Sequence, residues 1–260
     1  MNQEKLSYDL AEGVATIRLN DPATLNAMSS GLAQALLEAL RRGEREARAI
    51  LLTSEGRAFS SGANLTDGAF DLNDPGRDVG GRLDGLFNPI IYQIRTSERP
   101  VVTAVRGAAA GVGCAIALAG DLIIAAESGY FLQAFRNVGL GPDGGSSYLL
   151  SRAIGRVRAM EMMLLGERVP AAQALQWGLI NRVVPDDALD TVAADMARNL
   201  ATGPRSLGLI KKLAWAALDA SLETTLSLER VSQREAGRSD DFVEGVTAFR
   251  EKRKPQFKGR

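Results

Sequence analysis

One stretch, residues 101–145, limits what this chain can fold into more than any other. Val101–Val105 is an apolar run rich in β-branched residues, the pattern of a strand buried on both faces. Gly107-Ala108-Ala109-Ala110-Gly111-Val112-Gly113 follows, a turn made almost wholly of small residues, then an apolar helical segment at 114–119 and a second strand over 122–126. A strand, a small-residue turn and a helix leave unpaired backbone N–H groups at a helix N-terminus, where the helix dipole favours negative charge. Downstream, Gly139-Leu140-Gly141-Pro142-Asp143-Gly144-Gly145 places one acidic side chain in a Gly/Pro loop. An anion-stabilising turn and a lone carboxylate together suit proton transfer beside a carbonyl group.

The chain contains no histidine, which excludes Ser-His-Asp and Cys-His catalysis and histidine-ligated metals. Its one cysteine, Cys114, sits in an apolar run and reads as a buried, inert thiol. Lys plus Arg and Asp plus Glu each number 31, so a formally neutral chain gives no reason to expect nucleic-acid or anionic-membrane binding. The N-terminal sequence is polar and acidic, unlike a signal peptide, and the longest mostly apolar run, 108–120, is too short and Gly-rich to span a bilayer. These features predict a cytoplasmic protein. With 260 residues the chain can bury a sizeable core as one large domain or a domain with an appendage.

Taken in order, Val14–Leu19 reads as a strand. Ser29 or Ser30 is expected to cap a helix with Leu32, Leu36, Ala39 and Leu40 on one face, ending near Gly43. A strand follows over 49–53. Residues 66–85 are rich in Gly, Asp and Asn and are expected to form a mobile lid or a poorly ordered segment. A short helix over 86–94 turns Ile90, Ile91 and Ile94 inward. Strands alternating with helices argue for a largely parallel sheet, with strands near 101, 122 and 131 spaced more closely than in a plain dinucleotide-binding fold. No G-x-G-x-x-G motif opens a helix after the first strand. Beyond Gly145 the pattern is mostly helical: 146–152, 156–165, 171–177, 188–201 capped by Asp186 or Asp187, 205–218, 221–236 and 240–250, with a brief strand at 180–184. The shift from mixed to all-helical near residue 200 predicts a core over 1–200 and a helical region over 201–260.

Several segments, in order along nearly the whole chain, are similar to the enoyl-CoA hydratase/isomerase (crotonase) superfamily. They include Leu19-Asn20-Asp21-Pro22 through Met28, Ala58 through Leu65, Val105 through Cys114, Gly120-Asp121-Leu122, Gly139 through Gly145, Ala174 through Ile180, and Phe249 through Phe257. The C-terminal half most resembles the ring-epoxide isomerases of phenylacetyl-CoA catabolism and the 3,2-enoyl-CoA isomerases. The resemblance implies an α/β fold with a ββα spiral core and a C-terminal α-helical trimerisation region. It also implies acyl-CoA thioester substrates, no separate cofactor, and a homotrimer or dimer of trimers. By motif position the oxyanion-hole N–H groups fall on Ala63 and Val112. Residues implied at the coenzyme A moiety are Asn26, Ala27, Ser61, Ala63, Asn64 and Leu65, with Lys254 and Phe257 of the basic tail, whose site could belong to a neighbouring subunit.

The chain departs from the hydratase pattern at both glutamate positions. The first is Ala115; the second is Phe135, or Arg136 if the alignment slips by one. Water addition calls for groups to activate water and to manage the α-proton, so hydration is disfavoured. Asp143 remains, at the position of the single base in resembling isomerases. The expected activity is an acyl-CoA isomerase shifting a proton or double bond, or rearranging a ring epoxide. A weak hydratase and a non-catalytic acyl-CoA-binding protein are the alternatives. The related aspartate-nucleophile dehalogenases also use a histidine, which this chain lacks.

Overall fold

The computed structural model describes residues 5–67, 71 and 73–260. The chain begins with an antiparallel hairpin, β1 (Leu6–Ala11) and β2 (Val14–Leu19), then α1 (Ser30–Glu46) and β3 (Ala49–Ser54). Next come α2 (Asn88–Thr96), β4 (Val101–Val105), β5 (Ala108–Ala110), α3 (Val112–Leu118), β6 (Leu122–Ala126) and β7 (Tyr130–Leu132). After the acidic loop follow α4 (Ser146–Leu165), β8 (Arg168–Pro170), α5 (Ala171–Gln176), β9 (Arg182–Val184) and α6 (Leu189–Ala201). The last three helices are α7 (Ser206–Ala217), α8 (Leu222–Ala236) and α9 (Asp240–Glu251).

Six strands form one sheet in the order β1-β2-β3-β4-β6-β9, parallel except for the first pair, and three form a smaller sheet in the order β5-β7-β8. The alternation of side chains across the large sheet divides the core in two. Ile17, Leu19, Ile50, Leu52, Val101 and Val105 face α1, α2 and α3. Val14, Ala49, Leu51, Val102, Ala104 and Ile124 face the small-residue side of α6, whose Ala193, Ala197 and Ala201 allow close approach. Strands apolar on both faces are what a parallel sheet covered by helices requires.

Several sequence expectations change in the structure. β1 was not anticipated: half-buried Leu6 and Tyr8 alternate with exposed Ser7 and Asp9 on this edge strand, and two residues carry too little apolar signal. The centre of the small-residue turn is itself a strand, β5, fully buried and paired in parallel with β7. Ser29 caps α1 as expected, its Oγ accepting from the Leu32 N–H at 3.2 Å. The helix continues past Gly43, whose missing Cβ lets Ala15 and Ile50 pack against it. Asp186 does not cap α6; it instead accepts from the backbone N–H and Oγ of Ser128. The two short helices expected after Gly145 are present, separated by a kink at Gly155 (φ 74°, ψ 159°) within α4. The expected lid over 66–85 lies partly outside the described residues. At its described ends Asp67 accepts from the Ser30 N–H (2.7 Å), Ser30 Oγ (2.8 Å) and Arg82 (2.8 Å).

Candidate active site

Two chain segments run side by side to make the small-residue turn. Ser60 bridges Ala109 in parallel: the Ser60 N–H donates to the Ala108 carbonyl and the Ala110 N–H donates to the Ser60 carbonyl, both at 2.9 Å. Beyond the bridge both strands bend on glycines. Gly62 (φ 100°) would put a Cβ 3.0 Å from the Ala110 carbonyl oxygen, and Gly111 adopts φ 52°, ψ −128°, a region essentially confined to glycine. Gly113 would place a Cβ 2.6 Å from Ser60 Cβ, so only glycine lets α3 start this close to the neighbouring strand. Ala63 and Val112 therefore emerge at the same end of the paired segments, each three positions past its bridged residue. Among the described hydrogen bonds neither N–H has a protein acceptor, since the second bridge uses the Met28 and Asn64 amides and leaves Ala63 free. Val112 is 1% exposed, and its N–H is among the first amides of α3, which have no acceptor within the helix.

The acidic loop is laid against this turn. Asp143 sits at the start of a tight reversal in which Gly144 (φ 57°) and Gly145 (φ 74°) are both left-handed and the Ser146 N–H donates to the Asp143 carbonyl at 3.0 Å. A Cβ on Gly144 would lie 2.8 Å from Ala115 Cβ and 3.4 Å from Val112 Cγ2, so Asp143 is one residue from direct packing on the α3 turn. Ile91 of α2 borders Gly145, and the Phe135 ring reaches within 4.0 Å of a Cβ placed on Gly111. The surroundings are apolar. Asp143 is half-buried, its Oδ1 has no hydrogen-bond partner, and burial alone pushes its pKa up to about 6.

The same contacts resolve which residue stands at the second glutamate position. Phe135 is 7% exposed and borders Gly111, whereas Arg136 turns away to donate to the Leu164 and Leu165 carbonyls at the end of α4. Neither Phe135 nor Ala115 supplies a carboxylate. Cys114 lies behind the turn, wholly buried, accepting from Gln133 Nε2 at 3.3 Å, with its thiol pushed up to about 12 by desolvation. It is inert as expected.

The remaining expected site residues divide into two groups. Asn26 is completely buried and fully engaged. Its Nδ2 donates to the Glu55 and Ala58 carbonyls, its Oδ1 accepts from the Asp21 N–H, and its carbonyl accepts from Ser60 Oγ. Asn26 thus joins 21–26 to 55–60 and shapes the turn. Ala27 and Ser61 lie on the same joint, Ser61 donating to the Leu25 and Thr24 carbonyls. Asn64 accepts from the Thr66 N–H and Oγ1, a local turn-forming bond, and Leu65 beside it is 53% exposed.

Lys254 and Phe257 are not in this group. The Phe257 carbonyl accepts from Arg48 Nη1 at 3.1 Å, and Arg48 immediately precedes β3, whereas Asn26 bonds to Glu55, immediately after β3. The six-residue strand between them puts Arg48 and Glu55 roughly 23 Å apart at about 3.3 Å per residue. Within one chain the basic tail and the α3 turn are at opposite ends of the sheet. Sequence reasoning in turn missed Ile91 as a wall of the Asp143 loop. Its periodicity showed a buried face but not which segment that face meets.

The enoyl-CoA hydratase/isomerase family model matches residues 9–260. The chain is 44% identical to the 1,2-epoxyphenylacetyl-CoA isomerase of Escherichia coli K12, over 96% of each protein. It is 42% identical over the full length of both to a Rhodobacter capsulatus protein named as a probable enoyl-CoA hydratase. Among solved structures, the enoyl-CoA hydratase of Mycobacterium smegmatis superposes with a TM-score of 0.90 at 30% identity, covering 98% of this chain and 99% of that one.

Proposed function

The chain belongs to the enoyl-CoA hydratase/isomerase family, whose enzymes act on acyl-CoA thioesters, and from that premise we propose that it is an acyl-CoA isomerase with Asp143 as its single proton shuttle. One observation carries this reading. An unpartnered, half-buried carboxylate adjoins a turn with two free amides, and both positions that would supply a hydratase's glutamates hold apolar side chains.

In this reading the thioester oxygen accepts from the Ala63 and Val112 N–H groups. Asp143 removes a proton from the carbon next to the thioester carbonyl of a 3-enoyl-CoA. The electron pair spreads over a dienolate whose oxygen the two amides hold. The protonated Asp143 then delivers the same proton to the far end of the dienolate, leaving the 2-enoyl isomer. Preorganised backbone donors stabilise charge that develops only during the reaction, and one removed is typically worth about 3 kcal/mol. The reaction balances with no redox cofactor or metal; coenzyme A enters with the substrate. Ile91, Val112, Ala115 and Phe135, which border the turn and the Asp143 loop, are apolar and offer no group to activate water.

The name of the Escherichia coli relative favours a second substrate, a ring epoxide of phenylacetyl-CoA. Assembly as a homotrimer or dimer of trimers, with a core over 1–200 and an oligomerising region over 201–260, belongs to the same reading. So does the supply of Lys254 and Phe257 to coenzyme A across a subunit boundary, since neither reaches the turn within its own chain.

The test is to incubate the protein and Asp143→Asn with a 3-enoyl-CoA, crotonyl-CoA and the ring epoxide, following absorbance and product mass. Isomerisation or rearrangement lost in the variant, with negligible hydration, is the expected result. Hydration that survives the substitution would overturn the assignment. Binding of acyl-CoA without turnover would identify a non-catalytic protein.

A further inference from the structure

Behind the acidic loop, four side chains from three helices stack as a ladder. The Arg95 guanidinium on α2 lies 4.3 Å from the centroid of the Trp215 ring on α7 and 4.8 Å from that of Tyr148 on α4. Arg152, one turn after Tyr148, lies 3.7 Å from the same Tyr148 ring. Asp219 closes the far end, accepting from the Tyr148 hydroxyl and from Arg152. Arg95 differs from the other rungs in having no carboxylate partner and no hydrogen bond among those described, and its Nε is buried without an acceptor. Its charge lies against the two ring faces, with the Asp219 carboxylate attracting it at longer range.

The α7 end of the ladder is firmly seated. Lys211, one turn before Trp215, is buried and donates to the Ile94 carbonyl (2.6 Å) and the Arg99 carbonyl (3.2 Å), on either side of Arg95 in the chain. It also pairs with Asp121 at 2.8 Å, and the same carboxylate accepts from Trp215 Nε1 at 3.4 Å. The other end reaches the site. α4 starts at Ser146, whose N–H closes the Asp143 reversal, and Ile91, one turn before Arg95, borders Gly145. The two helices flanking Asp143 are thus joined to each other and to α7 through Arg95. A cavity of about 370 Å³ borders Arg95, Lys211 and Trp215.

We infer that Arg95, held between Tyr148 and Trp215, is a positioning residue for the proton shuttle: the ladder fixes the spacing of α2 and α4 and so the depth at which the Asp143 carboxyl sits. The inference rests on the isomerase reading above. Asp143 owes its retained proton to burial without partners, so a loop that loosens by a fraction of an ångström lets water in. That lowers its affinity for the proton it must carry and misplaces it from the substrate carbon. Misplacement acts on the chemical step more than on binding of a thioester held mainly through its coenzyme A portion.

The experiment compares Arg95→Met, Trp215→Leu and Trp215→Phe with wild type, using a 3-enoyl-CoA across pH 4.5–8. Circular dichroism and Tm serve to confirm folding. In Arg95→Met and Trp215→Leu, kcat is expected to fall about tenfold or more while KM stays within about twofold. The acid limb of kcat/KM should move from about 6 toward the ordinary carboxylate range. Trp215→Phe, which keeps a ring over Arg95, should retain both properties. Folded Arg95→Met and Trp215→Leu with unchanged kcat and acid limb would overturn the inference. Asp143→Asn separates this failure from failure of the isomerase reading. If Asp143→Asn is as active as wild type, the shuttle is wrong, and the ladder is judged by carbon-13 NMR titration of the Asp143 carboxyl. That titration should fall in Arg95→Met; an unchanged value would overturn the inference without any activity being needed.

Discussion

Asp143 gains its chemistry from what surrounds it and not from a partner. Burial disfavours the anion and places the pKa at about 6, near where a proton acceptor that must also return its proton works well. The base is the ionised form, so kcat/KM of the free enzyme should rise with pH through about 6 and flatten above it. An acid limb near 4 would show that water reaches the carboxyl. The same burial costs stability. The folded-state pKa lies above the unfolded one, so the stabilising contribution is complete below about 4 and lost as pH rises through about 6. Asp143→Asn should therefore melt above wild type at pH 7.5, the gap closing as pH falls toward 4, which differential scanning calorimetry would follow. Gly111→Ala tests the turn itself. Its φ and ψ admit glycine alone, so the variant should lose of order 1–3 kcal/mol of stability and about a hundredfold or more in kcat as the Val112 N–H is re-aimed. The turn was legible in the sequence because glycine and alanine recur where a backbone must approach closely, whereas Asp143 read as an ordinary turn residue until the family resemblance singled it out. Phe135 against Arg136 was not legible, since only packing shows which of two neighbours faces the turn.

At the level of elements, strand identity was legible wherever both faces are apolar, as in Val101–Val105 and Leu122–Ala126. It failed where burial is one-sided or very short. β1 is an exposed edge, and β5 is three alanines that only pairing with β7 reveals as a strand. Helix caps followed the rule at Ser29, Ser221 and Ser239. At Asp186 a competing donor, Ser128, took the carboxylate first. How α7 is attached was not visible in the sequence, because Lys211 and Asp121 are far apart along the chain. With side chains 5% and 16% exposed, the pair lies in a poorly hydrated setting where losing one member strands the other. Lys211→Met should cost about 3 kcal/mol or more in urea unfolding, and Asp121→Asn with Lys211→Met together should cost less than Lys211→Met alone.

Across the whole molecule, the surface of the C-terminal helices is unusually apolar. Phe249 is 84% exposed, Leu222 68% and Val243 62%, and α4 likewise exposes Val157 (72%) and Leu164 (60%). Monomers rarely leave such groups in water. Phe249→Asp with Leu222→Asp should leave circular dichroism unchanged and reduce the sedimentation coefficient, if those helices are the assembly surface proposed above. An unchanged sedimentation coefficient would place the assembly surface elsewhere. Position in the chain gave no hint that the tail would be tied beside Arg48, at the far end of β3 from the turn. Hydrogen bonds from the Lys258 and Gly259 N–H groups to Asp241 hold it there.

A chain without imidazole is nearly silent to acid and base titration around pH 6. Against that silence the Asp143 carboxyl becomes a counted proton. Subtracting the potentiometric curve of Asp143→Asn from that of wild type should leave one equivalent centred near 6. Repeated with a bound acyl-CoA that cannot react, the same subtraction would read how far the ligand's own bulk completes the desolvation. The protein then reports the state of its own active site with no label attached.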